Sequence, residues 1–526
     1  MSGPETAPSD LPELTDLQGL EPLSPDLSAA YLEHNAVLPM GVRGGNLRVG
    51  SWLDRVDPQV LDDLRNLAGL PAEVVHIPET EGRAAIRRVY ADEALTAEDL
   101  IAGMGDEPSR IDGWGGAQGD LEGDAALDDL VALANEAPVV KLVNLLLLEA
   151  LEARASDVHL ETYTGGLRVR YRVDGVLQEA PAPPRRLSAA VVSRLKIMAE
   201  LDISERRVPQ DGRIRLRMRD RQVDVRVATL PTLHGESVVL RLLDRDQGRV
   251  GLEELGMSPE TMARFIEVIS RPHGIVLSTG PTGSGKTTTL YAAVDQIRTG
   301  REKIVTVEDP VEYELPGVPQ VPVNAKVGLT FATALRALLR QDPDVMLVGE
   351  IRDHDTADIA THAALTGHLV LSTLHTNDAA TALTRLVDLG VERYLVASTV
   401  EAVLAQRLVR RICPACAAPV TLTFEERTAL GLGRGDAEGA AELLTATRGT
   451  GCDACRGTGY RGRTGIFELL VMDDELRSEL DRDASAGRIE KLARSRGMRL
   501  LREDGLRVIA AGLTTPEEVL RVTAGV

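Results

Sequence analysis

The sequence predicts an α/β protein in which a smaller α+β unit precedes a domain built on a wound, mainly parallel sheet. Three observations lead to this prediction. Strands and helices alternate from about Val250 onward, which is typical of a parallel sheet covered by helices. The apolar run GIVLST (274–279) has the length of a buried strand and is followed by a glycine-rich turn and a helix pattern. Ahead of that domain, LRVRYRVDGVL alternates apolar and polar residues around a turn at Asp174-Gly175, as a hairpin does.

Composition divides the N-terminal part of the chain. Residues 1–26 are rich in Pro, Ser, Asp and Glu, and we expect a disordered acidic tail there. Residues 27–104 predict a small domain, because NLRVGSWLD alternates like a strand and VDPQVLDDLRNLAGL has the pattern of a helix that ends at Gly69. Residues 105–125 are glycine-rich and acidic, a composition typical of a flexible linker.

Two further domains are predicted from residue 126 to the C-terminus. In residues 126–249, the segment PVVKLVNLLLLEALEARAS repeats apolar residues near the 3.6-residue period of a helix, and the strands that follow carry many arginines. Residues 250–526 hold the alternating strands and helices of the parallel-sheet domain. Within them, residues 410–466 contain all four cysteines of the chain and predict a small subdomain.

The strongest motif lies near the start of the parallel-sheet domain. GPTGSGKT (280–287) fits the phosphate-binding pattern G-x-x-x-x-G-K-[ST], with a strand pattern before it and a helix pattern after it. Glycines let backbone N–H groups approach the phosphates, the lysine reaches their oxygens, and the threonine hydroxyl of Thr287 binds Mg²⁺. The predicted nucleotide-binding residues are Gly280, Pro281, Thr282, Gly283, Ser284, Gly285, Lys286, Thr287 and Thr288.

Three later strand patterns are flanked by residues that could act on bound phosphates. KIVTVEDPVEY places Glu308 and Glu312 at the end of one strand, and VMLVGEIRD places Glu350 after another. TGHLVLSTLHTND places His368 before a third strand and His375 after it. Open α/β sheets bind their ligands at the carboxyl ends of the strands. A single acidic residue at the end of a strand often only caps a turn. Three strands flanked by carboxylates or histidines, all following one P-loop in the sequence, predict a catalytic cluster.

The cysteines form a second, independent signal. They stand as two C-x₂-C pairs, and the set consists of Cys413, Cys416, Cys452 and Cys455. Two such pairs are the ligand set of a tetrahedral structural zinc site, although the 35-residue spacer is longer than in common zinc ribbons. Two disulfides are the alternative, which a reducing compartment disfavours.

At this point the chain resembles a known family. GPTGSGKTTTLY, VEDPVEY, RQDPDVMLVGEIRD and TGHLVLSTLHTN resemble the Walker A motif, Asp box, Walker B motif and His box of the secretion and pilus-assembly ATPases. The segments ASDVHLE, RVRYRVDG, SERRVPQDGRIRLR and DVRVATLPTLHGESVVLRLLD resemble the N2 domain that precedes the motor in that family. The resemblance covers residues 126–526 and is strongest to the type II secretion ATPases, with the type IV pilus extension ATPases next.

The resemblance implies an architecture and a function. We expect a RecA-like P-loop motor domain, a PAS-like N2 domain, and an N-terminal domain that docks the cytoplasmic domain of an inner-membrane platform protein. Such a protein is a homohexameric motor that hydrolyses ATP to assemble pilin-like subunits for type II secretion. Some relatives bind cyclic di-GMP in the N-terminal region through a repeated motif led by Arg-Leu-Gly, and residues 27–104 hold no convincing copy.

The resemblance also assigns roles to single residues. Walker B strands of this family end in Gly-Glu, so Gly349 is expected in place of an Asp, and Glu350 would orient or deprotonate the attacking water with help from Glu308 or Glu312. Arg213 and Arg226 are expected to approach the γ-phosphate, with a weaker case for Arg241. His368 and His375 would sense the γ-phosphate or contact a neighbouring subunit, unless they are only satisfied core histidines. The cysteines are implied to bind Zn²⁺, as they do in the assembly ATPases.

Charge and hydropathy narrow the partners and the compartment. Most of the net charge of −21 lies in residues 1–126, which predicts solvated chain or a docking surface for a basic partner. Direct nucleic-acid binding is disfavoured, because the chain is acidic overall and aromatic residues, which stack on bases, make up only 3% of it. No apolar run reaches the length of a membrane span and no secretory signal is recognised, so we expect a cytoplasmic protein recruited to the inner membrane through its partners. A pilus extension or DNA-uptake motor, and a nucleotide-gated scaffold with negligible turnover, remain open.

Overall fold

The structure is a computed structural model. It describes residues 29–89 apart from 44 and 54, then 137–218, 221–244, 250–432, 445–483 and 485–524, together with positions 20, 23, 97, 100, 101 and 133–135. The chain divides into two compact units, residues 1–116 and 117–526. The predictions for residues 1–26 and 105–125 lie outside the described residues, apart from positions 20 and 23. The finer domain boundaries within the two units stay predictions.

Within residues 29–89, the first unit contains a three-stranded sheet and three helices. Strand β1 (Val37–Arg43) pairs antiparallel with β2 (Asn46–Ser51), and β2 pairs parallel with β3 (Ala72–His76). The helices are α1 (Ala29–His34), α2 (Pro58–Ala68) and α3 (Glu79–Val89). The side chain of Asp57 accepts a hydrogen bond from the first turn of α2, and Gly69, with φ of 63°, ends that helix in the left-handed conformation. The strand and the helix predicted here are confirmed.

The second unit begins with a six-stranded antiparallel sheet of order β6-β5-β4-β9-β8-β7. Its strands are β4 (Ala155–Tyr163), β5 (Gly166–Val173), β6 (Val176–Ala180), β7 (Gln210–Met218), β8 (Arg221–Thr232) and β9 (Gly235–Asp244), and its helices are α4 (Ala137–Glu152) and α5 (Ser188–Met198). The predicted hairpin is present, and both residues of its turn, Asp174 and Gly175, have the positive φ that such a turn requires. The two helices pack against the apolar face of the sheet, which leaves the arginines on the opposite face.

The larger sheet of this unit has seven strands in the order β12-β11-β13-β14-β10-β15-β18. The strands are β10 (Gly274–Thr279), β11 (Ile304–Glu308), β12 (Gln320–Pro322), β13 (Val345–Val348), β14 (Leu369–Leu374), β15 (Val400–Ile412) and, after the hairpin β16 (Ala417–Thr421) and β17 (Thr445–Gly449), β18 (Tyr460–Val471). All neighbours in the sheet are parallel except β15 and β18. Every residue of β10 and β14 is buried, as expected for central strands of a sheet that helices cover.

Helices cover this sheet on both faces. They are α6 (Pro259–Ile269), α7 (Lys286–Ile297), α8 (Phe331–Leu338), α9 (His354–Leu365), α10 (Ala379–Asp388), α11 (Arg393–Thr399), α12 (Phe424–Ala429), α13 (Asp474–Arg482), α14 (Ala486–Ser495), α15 (Leu501–Ala510) and α16 (Pro516–Val522). Two large apolar clusters fill the space between sheet and helices. The predicted fold class, an α+β unit followed by a wound and mainly parallel α/β domain, is confirmed. No helix among the described residues is both long enough and apolar enough to span a membrane.

Candidate active site

The glycine-rich turn lies where sequence reasoning placed it, between the central strand β10 and helix α7. Gly280, Gly283 and Gly285 have φ of 148°, 79° and 89°, a region that side chains with a Cβ rarely enter. A Cβ on Gly280 would lie 2.6 Å from the carbonyl oxygen of Gln406, so the backbone passes closely over β15. These constraints explain why the turn is glycine-rich, and glycines there let a phosphate approach the backbone N–H groups at the N-terminus of α7.

Lys286 is the first residue of α7, and its side chain is only 9% exposed. Its Nζ donates hydrogen bonds to the carbonyl oxygens of Gly280 at 2.7 Å and Pro281 at 3.1 Å. Burial lowers the pKa of Lys286 to about 8, Glu350 opposes this shift, and Arg407 adds to it. The lysine therefore curls back over its own loop, with its ammonium group in the protein rather than in solvent.

Glu350 and His375 follow the neighbouring strands β13 and β14 and lie together at the same edge of the sheet as the P-loop. His375 Nε2 lies 3.4 Å from one carboxylate oxygen of Glu350, and Arg352 Nη2 lies 2.6 Å from the other. Burial lowers the pKa of His375, and Lys286 lowers it further, so the imidazole is mainly neutral at pH 7. The predicted grouping of Lys286, Glu350 and His375 is what the structure shows.

The glycine before Glu350 has a steric reason to be there. A Cβ on Gly349 would lie 3.3 Å from the carbonyl oxygen of Val307 and 3.4 Å from Cα of Glu308, both on the neighbouring strand β11. These separations are short for any side chain, and a carboxylate would have to fit into the same crowded space. The packing of β13 against β11 therefore favours glycine at this position.

Glu308 is placed differently from the expectation. Its carboxylate is 3% exposed and accepts hydrogen bonds from Thr306 at 2.5 Å, from Gln320 at 3.1 Å, and from the hydroxyl of Tyr291. None of its hydrogen bonds among the described residues is to the P-loop or to Glu350. Direct assistance from Glu308 to Glu350 stays a prediction, and it would require a Glu308 oxygen to leave this buried network.

Glu312 contacts the predicted arginine set. Arg226 Nη2, on β8 of the six-stranded sheet, donates to the carbonyl oxygen of Val311 at 3.0 Å and lies 3.5 Å from the carboxylate of Glu312. Burial lowers the pKa of Arg226, Glu312 opposes this, and Arg213 and Arg241 reinforce it. One predicted arginine is thus already in contact with the segment after β11.

The arginines form a row across three neighbouring strands. Arg213 pairs with Arg226 across β7 and β8, and Arg226 pairs with Arg241 across β8 and β9, so all three side chains leave the same face of the sheet. Arg241 continues the row to Asp157 on β4, whose carboxylate accepts its Nε hydrogen bond at 3.0 Å. Arg213 is exposed and Arg241 is 57% exposed, so the row is open to solvent along most of its length.

His368 does not lie at the active edge. It precedes β14, whereas His375 follows it, and seven residues of extended chain span about 20 Å. The ring of His368 lies within hydrogen-bonding distance of Ala363 and Thr366, 2.9 and 3.1 Å away, at the end of α9. The roles expected for His368, sensing the γ-phosphate or contacting a neighbouring subunit, stay predictions, and its ring lies at the opposite end of β14 from His375.

The four cysteines lie together, as the sequence predicts. All are free thiols, and their sulfur atoms lie within 4.8 Å of one another. The separations are 3.9 Å for Cys413 and Cys452, 3.8 Å for Cys416 and Cys455, and 3.7 Å for Cys452 and Cys455. Four sulfurs placed tetrahedrally at about 2.3 Å from a zinc ion are about 3.8 Å apart, so this set fits zinc. Burial opposes ionisation of Cys455, but N–H groups of Cys452 and Gly459 outweigh it and lower its pKa to about 6.

Sequence reasoning missed two residues that touch the P-loop, Gln406 and Arg407 on β15. Gln406 Nε2 donates to the carbonyl oxygen of Ser284 at 2.8 Å, and Arg407 Nη2 donates to that of Asn377 at 2.7 Å. In the sequence they belong to VLAQRLVRR, which has no motif and resembles any amphipathic strand. The available signal was weak: two polar residues in the middle of a strand that is otherwise buried.

Comparison with known proteins agrees with the motifs. Residues 132–521 match the family described as Type II/IV secretion system protein, and residues 10–95 match the one described as MshEN domain. The type II secretion system protein E of Xanthomonas campestris pv. campestris is 48% identical over 520 residues, which cover 99% of this chain and 87% of that protein. The type IV pilus assembly ATPase PilB of Myxococcus xanthus is 44% identical over 493 residues, covering 94% of this chain and 85% of PilB.

A solved structure supports the fold. The X-ray structure of the Legionella pneumophila ATPase DotB is similar with a TM-score of 0.54 at 22% identity, covering 73% of this chain and 96% of that one. The resemblance drawn from the motifs and the enzyme class it implied, a secretion ATPase, are confirmed at the level of the family. The chain therefore belongs to the family of type II/IV secretion system proteins.

Proposed function

We propose that this chain is the ATPase of a type II secretion system and that it hydrolyses Mg·ATP to drive the assembly of pilin-like subunits. One observation carries the proposal: Lys286, Glu350 and His375 form a cluster beside the P-loop in a chain that is 48% identical to a type II secretion system protein E over 99% of its length. A P-loop with an ionisable cluster at the carboxyl edge of a parallel sheet is suited to phosphoryl transfer to water.

The P-loop residues hold the nucleotide. Lys286 exchanges its hydrogen bonds to Gly280 and Pro281 for the β- and γ-phosphate oxygens, and it carries its charge into a buried position where an anion stabilises it. Ser284 Oγ is buried and has no hydrogen-bond partner in the described part of the chain, so a phosphate oxygen can supply one. Thr287, half-buried in the first turn of α7, would hold Mg²⁺, which neutralises charge on the phosphates when bound.

Glu350 orients the attacking water and accepts its proton. Arg352 and His375 hold its two oxygens from opposite sides, which fixes the direction in which the carboxylate faces. His375 Nε2 lies 3.4 Å from Glu350, and burial lowers the pKa of the imidazole. The guanidinium groups of Arg226 and Arg213 then bind the γ-phosphate oxygens and stabilise their negative charge as hydrolysis proceeds.

The assembly we propose is a homohexamer at the cytoplasmic face of the inner membrane. Residues 27–104 dock the cytoplasmic domain of a membrane platform protein, and the ring transmits movement to that platform. The open arginine row supports this assembly, because Arg213 and Arg241 are exposed in the single chain and a neighbouring subunit can reach them.

The cysteine set binds one structural Zn²⁺ in this proposal. The sulfur separations support it, and the ion would tie the hairpin of β16 and β17 to the ends of β15 and β18. Elemental analysis should find one zinc per chain, and Cys413→Ser should lower that content and lower the unfolding temperature. Purified native protein with four reactive thiols and no zinc would contradict the assignment.

The proposal is tested by ATP hydrolysis. Lys286→Ala should reduce turnover at least about 100-fold, because it removes the cation from the phosphate site. Lys303→Ala is the matched control: Lys303 is exposed, lies in the same domain, and should tolerate the change. Turnover per chain should rise with protein concentration as rings assemble. A wild-type protein without turnover at any concentration would favour a nucleotide-gated scaffold instead.

A pilus-assembly role is the second candidate, since PilB of Myxococcus xanthus is 44% identical over 94% of this chain. Deleting the gene in its own organism separates the two. Loss of secreted proteins with intact pili supports type II secretion, and loss of pili with intact secretion supports pilus extension.

A further inference from the structure

Two neighbouring residues on β15, Gln406 and Arg407, support the P-loop from below. Both are buried, with 2% and 5% of their surface exposed. The amide of Gln406 accepts a hydrogen bond from Ser278 Oγ at 3.1 Å and donates one to the carbonyl oxygen of Ser284 at 2.8 Å. Ser278 lies in the strand that leads into the loop, and Ser284 lies near its end. One amide group therefore holds both sides of the P-loop.

Arg407 connects this support to the turn that carries His375. Its Nη1 donates to the carbonyl oxygen of Gln406 at 3.0 Å, and its Nη2 donates to that of Asn377 at 2.7 Å. A Cβ on Gly280 would lie 2.6 Å from that same Gln406 oxygen and 3.1 Å from Arg407 Nη1, so the P-loop backbone rests directly on the pair. One guanidinium thus touches the floor of the phosphate loop and the turn two residues after His375.

The turn has two further anchors, and Arg407 lies between them. Thr376 N donates to Thr279 Oγ1 at 3.0 Å, which ties the turn to β10. Ala379 N, at the start of α10, donates to the buried carboxylate of Glu468 at 2.8 Å. Asn377 is the position at which the turn is tied to β15, and its contact is made by the charged, forked side chain of Arg407.

Packing alone does not account for an arginine here. No carboxylate of the described residues lies within the 4 Å ion-pair distance of Arg407, and burial lowers its pKa, with Glu468 and Asp378 opposing that shift. A buried guanidinium without a close anion is costly to desolvate. Its planar fork, however, reaches two carbonyl oxygens in different segments at once, which a lysine or an apolar side chain cannot do.

We propose that Arg407 is a positioning residue for ATP hydrolysis, which sets the turn of His375, and through it Glu350, relative to the nucleotide-binding loop. The inference rests on the proposed ATPase function. Nucleotide that seats in the P-loop presses on the support formed by Gln406, and Arg407 transmits the position of that support to Asn377. Binding and hydrolysis are thereby linked by one side chain that touches neither the phosphates nor the attacking water.

The first experiment compares Arg407→Lys with Arg410→Lys. Lysine keeps the charge at position 407 but cannot bridge two carbonyl oxygens, so kcat should fall at least about tenfold while nucleotide Kd changes less than about threefold. Arg410 lies on the same strand; its Nη2 donates to one carboxylate oxygen of Glu518 at 2.7 Å, and its backbone N–H donates to the other at 3.0 Å. Arg410→Lys should lower the unfolding temperature but leave kcat within about twofold, which separates loss of stability from loss of positioning.

The second experiment needs no turnover. Hydrogen exchange is measured with and without Mg·AMP-PNP, a non-hydrolysable ATP analogue. In the wild type, nucleotide should slow exchange in peptides covering residues 280–286 and 375–381; in Arg407→Lys it should slow exchange only in the first. Unchanged kcat, protection of both segments in the variant, or a parallel loss of Kd, kcat and stability would each overturn the inference. A wild type without turnover would overturn the ATPase proposal instead, and the exchange result would still decide the role of Arg407.

Discussion

The carboxyl edge of the seven-stranded sheet and the arginine-bearing face of the six-stranded sheet differ in how complete their contacts are. At the edge, Lys286 and Glu350 are each 9% exposed, and their polar atoms are already held by protein groups. On the arginine face, Arg213 is exposed, whereas Arg226 donates a hydrogen bond to the carbonyl oxygen of Val311 in the parallel-sheet domain. The first region is organised within one chain, whereas the second is only partly engaged.

The difference teaches which part of the reaction each region can perform. The sheet edge can bind nucleotide and orient water once Lys286 exchanges its hydrogen bonds to Gly280 and Pro281 for the phosphates, because its other polar groups are already held in place. Arginines that are still solvated stabilise the transition state of hydrolysis little. Their effect grows when domain closure or contact with a neighbouring subunit removes the water around them. Binding should therefore depend on the sheet edge, and rate should depend on whether the arginines are brought in.

The largest effect on ATP hydrolysis is expected from removing an arginine of the row on the six-stranded sheet. Arg226→Ala should lower kcat about 1,000-fold, in the range known for arginines that complete phosphoryl-transfer sites, and should change nucleotide Kd only a few-fold. Steady-state ATPase assays and nucleotide titration measure both quantities. Arg213→Ala should show the same pattern and, since Arg213 is exposed in the single chain, should lose its effect in any protein trapped as a monomer if a neighbouring subunit completes the site.

Arg168→Ala is the control for this prediction. Arg168 lies on β5 of the same sheet and pairs with Glu179 on β6, at the opposite end of the sheet from β7 and β8. Both side chains are largely exposed. Its loss should leave kcat within about twofold. If the Arg226→Ala and Arg213→Ala variants hydrolyse ATP as fast as the wild type, the arginine row has no part in hydrolysis. The division of binding and rate between the two regions would then be wrong.

A smaller effect is expected from a change within the preorganised edge. Glu350→Gln keeps the shape of the side chain but removes its basicity, so kcat should fall about 100- to 1,000-fold while ATP still binds. Quenched assays should find ATP bound and unhydrolysed on the variant. If binding is lost together with hydrolysis, then Glu350 is needed to hold the site together, and its pairs with Arg352 and His375 are structural.

Much of this edge could be predicted because its features are local in sequence. The P-loop needs glycines at positive φ, and the strand and helix patterns on either side confirm it. The cysteine cluster could be predicted from its two C-x₂-C pairs. The position of His368 was also open to prediction, since a residue before a parallel strand lies at the edge opposite one that follows it. That signal was present and was given less weight than the motif.

The rest depends on partners distant in sequence. Glu308 is a conspicuous carboxylate at the end of a strand, but Tyr291 and Gln320, which bind it inside the domain, show no pattern that points to it. Arg407 lies in an ordinary strand, and its importance appears only when β15 is placed beneath the P-loop. Sequence patterns indicate where chemistry is located, whereas the supports of a site follow from which strands become neighbours.

The smallest expected effect is a dependence of nucleotide Kd on pH, which reports on how deeply Lys286 is buried at the sheet edge. Burial lowers the pKa of Lys286 to about 8 in the free protein, while bound phosphates favour the charged form. Above pH 8 the free lysine is mainly neutral, so nucleotide binding must take up a proton and weakens as pH rises. Between pH 7 and 9 the Kd for Mg·ADP should increase about tenfold, as one pKa unit of ionisation implies.

Calorimetry in two buffers of different ionisation enthalpy at pH 8.5 should detect the proton taken up on binding, and circular dichroism over the same pH range controls for unfolding. The pH dependence of the Kd for Mg·ADP should be weaker in a variant in which water reaches the ammonium group of Lys286. Replacing Arg407 by lysine should not abolish it, because burial is the larger cause of the shift and Arg407 the smaller. A Kd that stays flat from pH 7 to 9 with no proton uptake would show that Lys286 is fully charged before nucleotide arrives, and that this part of the edge is less buried in solution than its contacts with Gly280 and Pro281 imply.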